Sequence, residues 1–465
     1  MEFREPYEQL AIPALTFVKD LQFPDPTRIR IYDTTLRDGE QTPGVAFTPE
    51  QKYELAVALS DIGVHMIDLG FPAVSREEQE GLQRLLEGKR KGQLRNDFEL
   101  IVMCRANAGD IDKTLEAIAE VGGSPKDVTF FIFTAGSDLH VKYKLGKTLL
   151  RRAGKDESEW LDLPVSWYRA ENQQMFVEAI QYAKSKGVQT IEAGNAEDGS
   201  RAHIDYILEM GRACLEAGGT RLSFPDTVGV FTPQAAAYYF SQLCATFPGV
   251  DQVIHFHNDF DLGTINTITA MSVGANIPTV TVNGVGERAG NAPMHSVVGA
   301  LYYLYGIEIP NFKYDRMLAL SRLVQELTGL PVQPHEPIVG SNVYAHESGI
   351  HTAGLSIDRR MYQVIDPAFF GGEMTFVYGK HTGTAAVEYA FNKYADELKR
   401  EGIKVDDQLV RQVTNEVKRL REERQRSNRS REIIDRYYED QARLGISERE
   451  LIELTRALAA VPAAE

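Results

Sequence analysis

The sequence predicts a (β/α)8 barrel, and three observations carry that reading. Short apolar runs recur along the chain, each ends in polar or Gly-rich residues, and each is followed by a stretch with helical periodicity. The runs are RIRIYD (28–33), HMIDLGFP (65–72), FELIVMCR (98–105), DVTFFIFT (127–134), VQTIEAG (188–194), TRLSFPD (220–226), VIHFHND (253–259) and TVTVNG (279–284). Helical stretches lie between them at 49–62, 108–121, 168–186, 203–217, 232–246 and 261–274, several opened by Thr, Pro, Asp or Ser in capping positions. Eight strands in strict alternation with helices fit a closed barrel of ordinary size. An open doubly wound sheet shares the alternation. Its dinucleotide-binding form loses its main support, because the first strand–helix turn has no G-x-G-x-x-G.

Composition narrows the function. A chain of 465 residues with 43 % hydrophobic residues can fill one large core and something smaller. The formal charge of −16 argues against a nucleic-acid surface, which needs a basic excess. Cys104, Cys214 and Cys244 have no metal-binding spacing and cannot all pair, so core thiols in a reduced, cytoplasmic setting are expected. The N-terminal MEFREPYEQLAIPALTFVKD carries acids where a signal peptide needs bases, and no run approaches ~20 apolar residues, so no membrane partner is expected.

The ends of the strands carry the chemistry. Arg37 and Asp38 follow strand one, Glu197 and Asp198 follow strand five, and Asp226 and Thr227 follow strand six. His255, His257 and Asn258 end strand seven, while Asn283, Glu287, Arg288 and Asn291 follow strand eight. In a barrel these loops open on one face, where such folds keep their active sites. On a strand, His255 and His257 point to the same side, so two imidazoles can grip one ion. An isolated H-x-H pair is as readily a hydrogen-bonded core feature. Here Asp38 can complete the set from across the barrel, which suits a divalent cation such as Mg²⁺, Mn²⁺ or Zn²⁺.

Taken together, DTTLRDGEQTPG (33–44), DLGFPAVS (68–75), SDLHVKYKL (137–145), EDGSR (197–201), DTVG (226–229), HFHND (255–259), NGVGERAGN (283–291), HESGIH (346–351) and GKHTG (379–383) resemble the acyl-CoA-dependent 2-alkylmalate synthases. That family includes the isopropylmalate, citramalate and homocitrate synthases of the DRE-TIM metallolyase superfamily. The resemblance covers residues 28–385 in order. It implies a Claisen-type condensation of an acyl-CoA, usually acetyl-CoA, with a 2-oxo acid. It further implies that Asp38, His255 and His257 hold a divalent metal with Asn291 nearby. Arg37 would stabilise the developing oxyanion, Glu197 would organise the hydrogen-bond network, and Thr227 would bond the 2-oxo acid carboxylate. Ser137 and His140 would face the substrate side chain or CoA, and Arg105 is the available cation for a second carboxylate.

The same resemblance assigns 344–372 to a subdomain that reaches into a neighbouring subunit. His351 and Tyr362 would then transfer protons, with Glu192 or Glu197 as partners, and the protein would be at least a homodimer with composite sites. The expected organisation is an N-terminal extension (1–27), a barrel (28–306), a small α+β subdomain completing a partner's site (307–385) and a helical C-terminal region (386–465). The last segment reads as charged helix with apolar positions at helical spacing, so the separate leucine-binding domain of many isopropylmalate synthases is not expected.

This chain also departs from the family. It has Asp68–Leu69 where many relatives have Glu–Val, and AGNAEDGSR where they have Phe-Ser-Pro-Glu-Asp, which leaves Glu192 and Glu197 on an altered loop. The small residues of EAGNA suggest room for a bulkier 2-oxo acid. An isopropylmalate-synthase-like activity is the leading expectation. Homocitrate, citramalate, Re-type citrate and arylalkylmalate synthases are the alternatives. A metal-dependent acyl-CoA lyase is disfavoured because its Cys-containing glycine loop is missing, as no cysteine follows Cys244. A non-catalytic homologue is disfavoured because Arg37, Asp38, Glu197, His255 and His257 are all present.

Overall fold

The computed structural model describes residues 21–425 and Arg436. The N-terminal part of the extension and the end of the charged helical region lie outside the described residues.

Eight parallel strands close into a barrel in chain order: β1 (Tyr32–Asp33), β2 (Met66–Asp68), β3 (Glu99–Arg105), β4 (Thr129–Ala135), β5 (Ile191–Glu197), β6 (Arg221–Asp226), β7 (Gln252–Phe256) and β8 (Ile277–Val280). Closure runs through β1, where Tyr32 is in register with Met66 on one side and Thr279 on the other. The helices around it are α1 (Pro49–Ile62), α2 (Arg76–Arg90), α3 (Ala108–Glu120), α4 (Gly146–Arg152), α5 (Val165–Ser185), α6 (Ile204–Ala217), α7 (Pro233–Thr246), α8 (Gly263–Met271) and α9 (Met294–Tyr305). Their starts are written in the sequence. Thr48 and Gln51 form a capping box before α1, Ser75 caps α2, Asn107 caps α3 and Thr232 caps α7.

Outward strand residues such as Ile67, Leu100, Ile132 and Ile254 join the helices in the main core. Inward residues form a second cluster that includes Tyr32, Ile101, Met103, Phe131 and Val253. Toward the N-terminal ends of the strands the interior is closed by charge. Arg30 Nη2 meets Glu99 Oε2 at 2.7 Å, Arg221 Nη1 meets Glu99 Oε1 at 2.7 Å, and Arg221 Nε meets Glu192 Oε2 at 2.8 Å. Burial opposes the ionised form of Glu99, but Arg221 and Arg30 outweigh it and bring the carboxyl down to about 2.

After the barrel, α10 (Met317–Thr328) belongs to the segment expected to form the subdomain. It packs on the barrel, where Asn283 Nδ2 donates to Ser321 O at 2.8 Å and Ser321 Oγ donates to Asn283 Oδ1 at 2.6 Å. A small α+β unit follows, with the parallel pair β9 (Ala345–His346) and β10 (Thr375–Phe376) and helix α11 (Gly349–Ile357). The chain continues through α12 (Thr384–Lys393), α13 (Ala395–Arg400) and α14 (Asp407–Gln425), a helical region as the sequence predicts.

Candidate active site

A cavity of about 250 Å³ opens at the C-terminal mouth of the barrel. Asp38 from the turn after β1 and His255 and His257 from the end of β7 line one side of it. Their ligand atoms lie within 4.8 Å of one another, and all three residues are buried. Asp38 Oδ2 is 3.3 Å from His255 Nε2 and 3.7 Å from His257 Nε2. Burial works against an ionised Asp38, yet Arg37 and the two imidazoles hold it well below the usual carboxylate range. Burial and the neighbouring His255 push His257 down to about 4, so it is neutral at pH 7, as ligation demands. His255 Nδ1 lies 2.9 Å from Thr279 Oγ1. When that hydroxyl accepts the Nδ1 proton, the Nε2 lone pair faces Asp38. Two imidazoles and one carboxylate on a shared centre fit a divalent cation.

Asn291 comes alongside through a backbone bridge to His257. Its Oδ1 is buried with no partner among the described residues. The turn above it must be bare, because a Cβ on Gly286 would stand 2.4 Å from Asn291 Nδ2 and 3.1 Å from Asp38 Oδ1. Asp198, Asn283 and Arg288 adopt positive φ at this same end of the barrel, a conformation that side chains other than glycine hold only when their surroundings fix them.

Arg37 lies between two buried carboxylates. Its Nε donates to Asp68 Oδ2 at 2.7 Å and its Nη1 to Asp38 Oδ2 at 2.8 Å. The carboxylates differ: burial raises the pKa of Asp68 above the ordinary range despite Arg37, whereas Asp38 has the imidazoles as well. Asp68 was visible in the sequence only as a family departure. Its inward position on β2 was the signal for a role at the site.

Glu197 ends β5 and lines the cavity with both oxygens on Lys144, at 2.6 and 2.8 Å from Nζ. Sequence reasoning missed Lys144, although it lies within the SDLHVKYKL motif. Thr227 also lines the cavity, and its Oγ1 accepts from Asp198 N at 2.8 Å. Ser137 and His140 stand behind this layer and do not line the cavity. The Ser137 hydroxyl bonds Asp198, and His140 lies 3.7 Å from Asp198 and 4.0 Å from Glu197. Glu192 lines the cavity floor, where burial raises its pKa in spite of Arg221.

The structure does not bring the remaining residues to this cavity. Arg105 forks onto Asp110, with Nε at 2.7 Å and Nη2 at 2.8 Å, and its side chain is 61 % exposed. Its position at the end of β3 suggested the mouth of the barrel, but a carboxylate on the first turn of α3 takes the guanidinium instead. His351 and Tyr362 stack on each other in the subdomain, ring centroids 4.3 Å apart, and neither lines the cavity.

Fold and site together define a (β/α)8-barrel protein with an Asp–His–His cluster of the kind that can hold a metal and a part-buried arginine at its mouth. The sequence model of the HMGL-like family matches residues 28–156 and 162–324, and that of the homocitrate synthase post-HMGL domain matches 338–425. A 2-isopropylmalate synthase of Sulfurisphaera tokodaii is 38 % identical over 405 residues, 86 % of this chain and 93 % of that one. Homocitrate synthase AksA of Methanopyrus kandleri is 36 % identical over 412 residues, 88 % of this chain and 91 % of that one. The chain belongs to the HMGL-like family and, within it, to the 2-isopropylmalate, homocitrate and citramalate synthases.

Proposed function

We propose that the protein condenses acetyl-CoA with a 2-oxo acid to give a 2-alkylmalate-type product and CoA, in the manner of an isopropylmalate synthase. One observation carries this reading: in a chain of this family, Arg37 and the Asp38–His255–His257 cluster face one cavity. Asp38, His255 and His257, with Asn291 beside them, would hold a divalent cation (Mg²⁺, Mn²⁺ or Zn²⁺), which would supply Lewis-acid polarisation of the keto group.

The chain's own groups do the rest. Arg37 uses Nε and Nη1 on carboxylates, and its Nη2 donates to none of the described residues, so it can meet the oxyanion that develops on the keto oxygen. Thr227 already accepts a backbone proton at Oγ1, which leaves its O–H to donate to the 2-oxo acid carboxylate. Glu197, set by Lys144, organises the hydrogen-bond network. The acetyl methyl group gives up a proton, its carbon bonds to the keto carbon, the keto oxygen gains a proton, and water cleaves the thioester to release CoA. His351 and Tyr362 carry these protons from a neighbouring subunit, which makes the assembly at least a dimer. No helix among the described residues is long and apolar enough to cross a membrane, in keeping with a cytoplasmic enzyme.

The test is release of CoA, detected with a thiol reagent, from acetyl-CoA and a panel of 2-oxo acids with Mg²⁺ or Mn²⁺. Release that depends on the 2-oxo acid, stops with EDTA and disappears in His257→Ala together with bound metal is the expected result. A His257→Ala protein that keeps metal and turnover would refute the ligand set, and no release with any acceptor would refute the reaction.

A further inference from the structure

We infer that the acceptor is a 2-oxo acid with an aryl side chain and no second carboxylate, an inference that rests on the condensation reading above. The cavity has an apolar wall made by Met103 of β3, Phe131 and Phe133 of β4, and Phe71 from the loop after β2. Phe71 and Phe133 stand edge to face, 5.9 Å between centroids at 75°, and Phe131 and Phe133 are 6.0 Å apart at 44°. A planar ring entering this angled set meets both a face and an edge, the arrangement that aromatic groups favour.

Gly194 on β5 lets these rings sit where they do. A Cβ there would lie 2.4 Å from Phe131 Cε2 and 2.7 Å from Phe133 Cβ, so any side chain would displace the rings. An apolar cavity on the order of 150 Å³ takes a benzene ring. With about 250 Å³, this one has room for a ring and the short 2-oxo acid head.

Charge argues the same way. Three cations line the cavity, and each is already paired: Arg37 with Asp38 and Asp68, Lys144 with Glu197, and Arg288 with Asp259. Arg105 is held by Asp110, and the deeper Arg221 is shared by Glu192 and Glu99. A second carboxylate would lose its water against phenyl rings where each lining cation among the described residues already faces a carboxylate, which is unfavourable. At the inner end, Glu192 Oε1 and Tyr32 Oη are buried without a partner among the described residues, and both residues line the cavity. Glu192 is in register with Phe131, so these polar atoms lie at the depth a ring substituent would reach. A neutral hydroxyl could satisfy them.

The experiment compares kcat/KM for phenylpyruvate, 4-hydroxyphenylpyruvate, 3-methyl-2-oxobutanoate, pyruvate and 2-oxoglutarate at saturating acetyl-CoA. The better aryl acceptor is expected to exceed the branched aliphatic one by about tenfold and 2-oxoglutarate by about a hundredfold. Phe133→Leu should lower the aryl-to-aliphatic ratio by about tenfold, and because the ratio is taken within one protein, partial loss of folded enzyme cancels. Preference for the branched, the smallest or the dicarboxylic acceptor would overturn the aryl assignment and leave the condensation standing. Failure of every acceptor to release CoA would overturn the condensation and the aryl assignment with it.

Discussion

Arg37 is fixed from two directions, and that geometry decides what a substitution would do. Lysine keeps the charge but cannot span Asp68 and Asp38 while presenting a third donor to the cavity. For Arg37→Lys we expect kcat to fall by roughly two decades, with the 2-oxo acid KM less affected. Normal turnover with a raised KM would instead make Arg37 a ground-state anchor. The pairing of Arg37 with Asp38 was legible because adjacent residues at a strand end share one turn. Asp68 and Lys144 were not, since each acts on a residue more than thirty positions away and looks like an ordinary loop or strand charge. Arg105 shows the reverse error. Strand position predicted the mouth, but a local carboxylate five residues on outcompeted it.

Among the barrel strands, β1 is the shortest and depends on a histidine at its entrance. Ile31 N donates to His65 Nδ1 at 3.1 Å, and Ile31 O accepts from His65 N at 3.0 Å. Burial, then Arg30 and Arg95, brings His65 down to about 4 from an ordinary value of 6.5. Between those values the unfolded chain binds the proton and the folded chain does not, so stability should drop as pH falls from about 6.5 to about 4. Thermal denaturation across that window should show His65→Gln, which keeps an acceptor and does not titrate, losing less stability than wild type. Equal losses would place the acid sensitivity elsewhere. The eight strands were readable because short runs that are apolar on both faces recur between helical stretches, but ends were less so: strand one reads as 28–33, while only Tyr32 and Asp33 lie in the ladder.

Across the whole molecule, the α+β unit leaves apolar surface uncovered. Ile350 is 75 % exposed, Ile357 74 % and Met361 58 %, all close in sequence to the stacked His351 and Tyr362. Burial against another subunit would remove that surface from water and bring the pair over a second barrel. Mixing Arg37→Ala with His351→Ala under conditions that exchange subunits should then restore activity, because some sites regain both residues. Verified exchange without recovery would show that each site is built within one chain. The barrel and its motifs could be followed along one sequence, whereas a contact between chains has no spacing to reveal it.

Among the described residues, the charged plug of Arg30, Glu99, Arg221 and Glu192 lies at the far end of the barrel from the cavity's mouth, so that mouth is the doorway they leave. Molecules that share one doorway must queue. On the proposed condensation the 2-oxo acid would sit deeper and the acetyl thioester with its bulky CoA would cover the entrance, so the acceptor would load first and the condensed acid would leave last. Initial-rate kinetics should therefore be ordered, with CoA departing before the alkylmalate and the alkylmalate competing with the 2-oxo acid for the empty enzyme.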